Sequence, residues 1–424
     1  MEIKIIDFDH KGRGFGRYDG KSVFLDGGVI GDTVSFEVVE SKKKFDVAKI
    51  LDIVEESEDR VVSKCPYSKK CGGCDFLEYK YSMQKKWKRD NVSTTMNKIG
   101  GIDTKVENTI GMENPFYYRN HIQLKAVEGK LGYFSKNSKA LVEVKRCIIA
   151  EKEINRAIEV LKNWKGLRSV DEIVIRQNKK AELMIVLITK NEVKKINGLL
   201  SELLDLNLKS LFVNYRKNER FRFGREFKKI YGEDYIEDEL FGLKFRLSPE
   251  SFFQVNRIQT EKLYNTAIGY MEIKPNDVIM DLYSGIGSIS LLMTEAKEVV
   301  GVEVVEAAVE NARQNSELNN KHNTRFIAGR VEDTIYSLIK EGTKFNKIML
   351  DPPRAGVDEK VIEKINEIMP ERIVYVSCNP STQARDLKLF KGYKIEKIHP
   401  VDMFCNSVHC ECVALLVRDN VSSK

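Results

Sequence analysis

No run of apolar residues in the sequence is long enough to cross a bilayer, which excludes a membrane-spanning helix. The first residues, MEIKIIDFDHKGRG, mix polar and apolar side chains and lack the apolar core of a secretory signal, so a cytoplasmic protein is expected. There is no internal repeat and no low-complexity tract. Cysteine is scarce, with eight in 424 residues. In a reducing compartment these are not disulfides, and their spacing matters more than their number.

What is present is an ordinary soluble composition, 42% hydrophobic and 31% charged. The length exceeds what one core fills, so two or three domains are expected. Lysine and arginine outnumber aspartate and glutamate by 70 to 63, a net charge of +7 that permits nucleic-acid binding without establishing it. Residues 1–55 read as short alternating strands with turns at KGRGFGRYDGK and LDGGVIGD, the pattern of a small β-barrel. Residues 56–248 read as a mixed α+β segment that begins with cysteines. Its helical part near 82–110 is placed to pack on the C-terminal domain. From 249 to 424 strands and helices alternate regularly, which gives a Rossmann-like doubly wound sheet. The fold class is therefore multidomain α/β.

The first strand of that sheet runs into MDLYSGIGSISLLM, with Asp281 at its end and Gly285 and Gly287 in the loop before an expected helix. Such glycines allow a ligand close to the backbone. The second strand ends at Glu303, where an acid binds ribose hydroxyls. A dinucleotide fold would have a further glycine where Ser290 stands. Its absence points to a nucleoside without pyrophosphate, most commonly S-adenosylmethionine. The fourth strand ends in MLDPPRAG, a rigid turn at the edge where a methyl acceptor should lie. Enzymes that methylate exocyclic amines usually follow the prolines with a stacking aromatic residue. Arg354 stands there instead, so a ring-carbon acceptor is favoured.

A ring carbon needs a nucleophile, and the next strand, VYVSCNPSTQA, ends in Cys378. Carbon 5 of uracil attacks a methyl sulfonium poorly until a thiolate adds at carbon 6 and makes an enolate. A thiolate performs that addition near neutral pH. The proton at carbon 5 must then leave, and Glu411 in SVHCECVALL is the expected base. His409 could assist. Cys405, Cys410 and Cys412 are read as structural.

CPYSKKCGGCDF places Cys65, Cys71 and Cys74 together, and Cys147 in VKRCIIA completes a four-sulfur set that suits iron–sulfur or zinc. The paired Gly72 and Gly73 suit a tight turn around a bulky centre. A radical enzyme would use three ligands in CxxxCxxC, whereas four close the centre, so a structural or RNA-binding role is expected.

Taken together, FFQVN, DLYSGIG, GVE, DPPRAG, SCNP and HCE, with NPFYYRN at 114–120, resemble the RNA 5-methyluridine methyltransferase family along nearly the whole chain. The resemblance implies that Gln254, Tyr283, Glu303 and Asp351 contact S-adenosylmethionine, that Cys378 is the nucleophile and that Glu411 is the base. It implies an RNA-binding TRAM barrel at the N-terminus and a [4Fe-4S] cluster rather than zinc on the four cysteines. Cluster-bearing members act mainly on 23S ribosomal RNA, so a flipped-out 23S uridine is expected over one in the transfer-RNA T-loop. Ser284 stands where a cysteine is frequent, and AGRVED where GDAE is usual, so Arg330 and Glu332 are left out of the site.

Basic and aromatic residues interleave in NYRKNERFRFGREFKKIYG, 214–232, which suits either RNA or a charged hairpin with one buried aromatic face. KKWKR at 85–89 and SKKK at 41–44 are weaker candidates for RNA contact, such runs being more often solvated surface. A monomer without a membrane partner is expected. Two other classes stay open here: a non-catalytic RNA-binding protein, and an RNA amine methyltransferase that uses Asp351.

Overall fold

The computed structural model describes residues 1–136 and 138–419. The N-terminal segment forms one six-stranded sheet whose two edge strands, Glu2–Lys4 and Asp7–Phe8, are consecutive pieces of the same stretch. Alternation decides its inner face. Val34 and Phe36 of Thr33–Ser41 are buried with Ile3, Ile5, Val23 and Leu25, while their neighbours face outward.

The central segment builds a seven-stranded mixed sheet from His121–Val127 to Glu226–Gly232. Its strands Glu172–Gln177 and Leu183–Thr189 are buried along their whole length. Helices Lys152–Asn163 and Ile196–Leu204 cover one face through Ile154, Ile158, Leu161, Leu199 and Leu203. The other face contributes Val174, Met184, Val186, Ile188 and Phe212 to the core that lies under the C-terminal sheet. The hairpin Ile236–Leu240 and Leu243–Leu247 joins that same core through Phe245 and Leu247. The apolar core therefore runs on across residue 248.

The C-terminal sheet has seven strands: β1 (Val278–Leu282), β2 (Glu298–Glu303), β3 (Thr324–Ala328), β4 (Lys347–Leu350), β5 (Arg372–Ser377), β6 (Tyr393–Val401) and β7 (Glu411–Arg418). Their order is 3-2-1-4-5-7-6. β1 to β5 are parallel, and β7 runs antiparallel between β5 and β6. Near-continuous apolar runs such as VIMDL are required because helices cover both faces.

One expectation changes here. The glycine loop after β1 leads into a single 3₁₀ turn, Ser290–Leu292, where an α-helix was expected. Polar side chains do there what helical hydrogen bonds would have done. Ser290 Oγ donates to the Asp281 carboxylate. Asn315 Nδ2 reaches the Ile286 carbonyl at 3.3 Å, and Asn323 Nδ2 takes those of Thr294 and Ala296.

Helix α1 (Tyr81–Thr95), whose amphipathic sequence precedes the central sheet, lies on the C-terminal sheet. Buried Lys88 on α1 pairs with buried Asp402 at the end of β6, and the Tyr81 hydroxyl donates to the same carboxylate at 2.7 Å. Val106 and Ile110 add bridges along β6. Among the described residues, no helix is long and apolar enough to cross a membrane.

Candidate active site

Strand order alone sets up a row of acids. β2, β1, β4 and β5 are neighbours, and their carboxyl ends carry Glu303, Asp281, Asp351 and Cys378. A parallel strand could not bring its first residue to that edge. Antiparallel β7 does, because Cys412 pairs with Ser377 and so sets Glu411 beside the end of β5. Asp281, Glu303, Asp351, Cys378 and Glu411 line one cavity of about 760 Å³, together with Gln254, Tyr283 and Gly285.

Each is held by its own local structure. Gln254 lies in the extended segment before the helix Arg257–Met271, and Asn120 of NPFYYRN pins that segment through the Gln254 and Val255 carbonyls. Tyr283 sits at φ 69°, a left-handed conformation costly for an aromatic residue, which turns the chain sharply into the glycine loop. Glu303 accepts from the Gly285 amide at 3.2 Å and the Val305 amide at 2.8 Å, so its carboxylate is locked to the loop. Gly287 does not line the cavity. It has φ 80°, and a Cβ there would meet the Phe326 ring at 2.8 Å, so it serves packing beneath the loop.

The cavity concentrates buried acid. Burial pushes Asp281 up to about 7, with the Asp351 charge adding to it and Ser290 opposing. Burial alone pushes Asp351 to about 7. Glu411 rises to about 8 through burial and then nearby Asp351, while Arg354 opposes. Burial pushes the Cys378 thiol to about 11, Glu411 adds to the rise, and the Arg354 guanidinium pulls the other way. Burial and then Arg354 lower His409. The buried Ser284 hydroxyl has no partner among the described residues. Three buried carboxyls with one arginine among them suit a cationic ligand with hydrogen-bonding ends, and S-adenosylmethionine carries a sulfonium and an ammonium.

Sequence reasoning missed Phe404, Tyr264, Ser251 and Asn311, which also line the cavity. They fall outside recognisable motifs, and only the tertiary fold brings them there. Arg330 and Glu332 do not line it. They pair with each other on the surface at 2.9 Å.

The four cysteines Cys65, Cys71, Cys74 and Cys147 line a second cavity of about 260 Å³. Burial raises the first three thiols, Cys74 most, and Cys147 raises each further. Gly72 is needed where it stands, since a Cβ would press on the Phe134 carbonyl at 3.0 Å, whereas Gly73 has room. Among the described residues, no group of three or more histidine, cysteine, aspartate or glutamate side chains stands ready to hold a single metal ion. Cys405, Cys410 and Cys412 are buried elsewhere.

Comparison with known proteins gives the family. The tRNA (uracil-5-)-methyltransferase family matches residues 80–419. An uncharacterized RNA methyltransferase of Clostridium acetobutylicum is 36% identical over 98% of this chain and 96% of its own length. One from Listeria monocytogenes is 38% identical over 98% and 97%. The crystal structure of a Pyrococcus abyssi tRNA (uracil-54, C5)-methyltransferase in complex with S-adenosyl-L-homocysteine superposes with a TM-score of 0.79 and 27% identity, covering 98% of this chain and 100% of that one. The chain belongs to the tRNA (uracil-5-)-methyltransferase family, and it is an S-adenosylmethionine-dependent RNA methyltransferase of the uracil-C5 type.

Proposed function

We propose that the protein methylates carbon 5 of a flipped-out uridine in 23S ribosomal RNA through a covalent adduct on Cys378. The observation that carries this is the meeting of Cys378 and Glu411 at one edge of the cavity that also holds Glu303, Asp281 and Asp351. An amine methyltransferase would have no use for a thiol there, and a non-catalytic RNA binder no use for the acids.

S-adenosylmethionine supplies the methyl group as a sulfonium when bound. Glu303 and the Gly285 loop would hold its ribose, with Gln254, Tyr283 and Asp351 completing the contacts. Asp351, Glu411 and Cys378 all ionise more readily with positive charge seated among them. Cys378 Sγ then bonds to uracil carbon 6, and the electron pair of the 5,6 double bond moves to an enolate. Carbon 5 takes the methyl group. Glu411 takes the carbon 5 proton, and the Cys378 bond to carbon 6 breaks as the double bond re-forms. Phe404 and His409, with ring centroids 6.2 Å apart, form the wall beside Glu411.

The six-stranded N-terminal sheet is read as the RNA-binding TRAM barrel, and Cys65, Cys71, Cys74 and Cys147 as ligands of a [4Fe-4S] cluster. Four thiols around an open cavity suit a bulky cluster better than one zinc ion, which gathers its sulfurs to about 2.3 Å. The cluster residues favour 23S RNA through the family resemblance. A transfer-RNA T-loop uridine is the second reading, favoured by the Pyrococcus abyssi enzyme, whose substrate is tRNA uracil 54. The test is nucleoside analysis of ribosomal and transfer RNA from cells lacking the protein, before and after incubation with enzyme and S-adenosylmethionine. 5-Methyluridine gained in 23S RNA supports the first reading, gain in transfer RNA alone supports the second, and no gain in either overturns both.

A further inference from the structure

The charged stretch at 214–232 divides in the folded protein. Arg216 is buried and paired with Glu172 at 2.6 Å, and Phe223 and Phe227 pack against the core, so this half is structural. Arg222 is different. Its guanidinium donates to His121 Nε2 at 2.8 Å, and an arginine can only donate, so His121 is the neutral tautomer with its proton on Nδ1. Arg119 Nε donates to the His121 carbonyl at 3.0 Å. Arg176, 4% exposed, donates through one terminal nitrogen to the Ser251 carbonyl, and its other terminal nitrogen is buried with no partner.

Arg119, Arg176 and Arg222 all act on His121 and hold it well below its usual range, after burial itself. None of the three has a carboxylate partner among the described residues. The acids nearby are already taken, Glu172 by Arg216 and Lys125, and Asp238 by Arg257. Arg257 also holds Glu151. Other arginines of this region are thus neutralised, whereas Arg176 and Arg222 are not, and Arg119 reaches both this group and the four-cysteine cavity that it lines. Three guanidiniums near one neutral imidazole repel one another, and the buried, half-partnered Arg176 adds the cost of an unpaired buried charge. An anion between them would relieve both terms, and guanidinium forks match phosphate oxygens.

We propose that Arg119, Arg176 and Arg222, gathered around His121, bind one backbone phosphate of the RNA beside the target uridine. This rests on RNA being the substrate. The position fits. Arg176 holds Ser251, whose neighbour Phe252 is 68% exposed and lines the catalytic cavity, and Phe221 next to Arg222 is 66% exposed. Exposed aromatic rings flanking a cationic site are what an unstacked strand requires. The donor's carboxylate is a poorer occupant, because none of the three arginines lines the donor cavity.

The test measures binding of a short fluorescein-labelled oligouridylate by anisotropy over a range of salt concentrations, with S-adenosylmethionine affinity measured in parallel by calorimetry. Arg222→Gln, a change at an exposed side chain, should weaken oligonucleotide binding about tenfold and lower the log–log salt slope by up to about 0.7, the full value for one single-strand phosphate contact. Arg119→Gln should do the same at unchanged iron content, since Arg119 also lines the four-cysteine cavity, and Arg222→Lys should keep the slope. Donor affinity should not move in any of them. Unchanged affinity and slope in both glutamine variants overturn the site, and a fall in donor affinity instead assigns the arginines to the donor's carboxylate. If the unaltered protein binds no RNA, the RNA-substrate reading itself fails, which is a different result from normal binding with an unchanged slope.

Discussion

The carboxylate of Asp75 accepts the Val408 amide at 3.1 Å while the Asp75 amide donates to the Asn406 carbonyl at 2.9 Å. Asp75 directly follows Cys74, and Val408 stands three residues before Glu411, so the cysteine loop grips the loop that presents His409 and Glu411. Gln84 exchanges two hydrogen bonds with Asn406, and Tyr118 holds the Cys405 carbonyl. Asp75→Ala should lower kcat about tenfold or more, since small misplacements of a catalytic group are expensive. Donor affinity should stay within about twofold, because the proposed donor contacts lie on other strands. Asp75→Asn keeps an accepting oxygen and should recover most of kcat. Steady-state kinetics with calorimetry checks this, and a wild-type kcat in Asp75→Ala would refute the coupling.

Glu303 performs two tasks, fixing the glycine loop through the Gly285 and Val305 amides and facing the donor cavity. Glu303→Ala should weaken S-adenosylmethionine binding by about tenfold or more, in line with the loss of a hydrogen bond to a charged group. Glu303→Gln keeps one accepting oxygen and should fall between. Isothermal calorimetry reads both values.

The buried acids should make donor binding pH-dependent. Folding raises Asp281 and Asp351 to about 7 and Glu411 to about 8, so the folded chain retains protons that the unfolded chain releases. Their stabilising contribution is complete below the ordinary carboxyl range and is lost as pH rises towards about 8. The thermal midpoint of the free protein should therefore fall over that window. Affinity for the sulfonium donor should rise between about pH 6 and pH 8.5, as the acids ionise, and affinity for uncharged-sulfur S-adenosylhomocysteine should rise much less. Equal pH profiles for the two ligands would contradict an electrostatic role for the acids.

Anaerobic purification should yield brown protein with about four irons per chain. Cys147→Ser, which removes the one ligand distant in sequence, should lose most of the iron and lower the thermal midpoint. Stoichiometric zinc without iron after anaerobic isolation would replace the cluster assignment.

Much of this architecture is legible in the sequence because the C-terminal strands are short apolar runs that each end in one conspicuous polar residue. Glu303, Asp351 and Cys378 are separated by helical returns and Asp281 from Glu303 by the glycine loop and its 3₁₀ turn, and a doubly wound order puts such strand ends side by side. Glu411 is harder to place, since only the antiparallel insertion of β7 brings the start of a strand to that edge. The missing helix after Gly287 is illegible for a different reason. Its carbonyls are satisfied by Asn315 and Asn323, residues on later elements whose reach no local pattern reveals. Phe404 and the division of 214–232 into a structural and an exposed half likewise depend on tertiary contacts.

In the proposed reaction Cys378 and Glu411 act at opposite ends, which makes their roles separable. With substrate RNA and S-adenosylmethionine, Cys378→Ala should form no protein–RNA adduct and transfer no methyl group, because no enolate arises. Glu411→Gln should attack and methylate once, then keep its product bound, since the carbon 5 proton has no acceptor. Losing a general base commonly costs about 10²- to 10⁴-fold, enough to hold a denaturant-stable band in view. The decisive measurement is therefore a denaturing gel of Glu411→Gln incubated with labelled 23S RNA fragments and S-adenosylmethionine. An accumulating, methyl-labelled covalent complex that disappears when Cys378→Ala is added to the same chain is the predicted result. Free 5-methyluridine RNA released at the wild-type rate, or a complex that persists without Cys378, would contradict it.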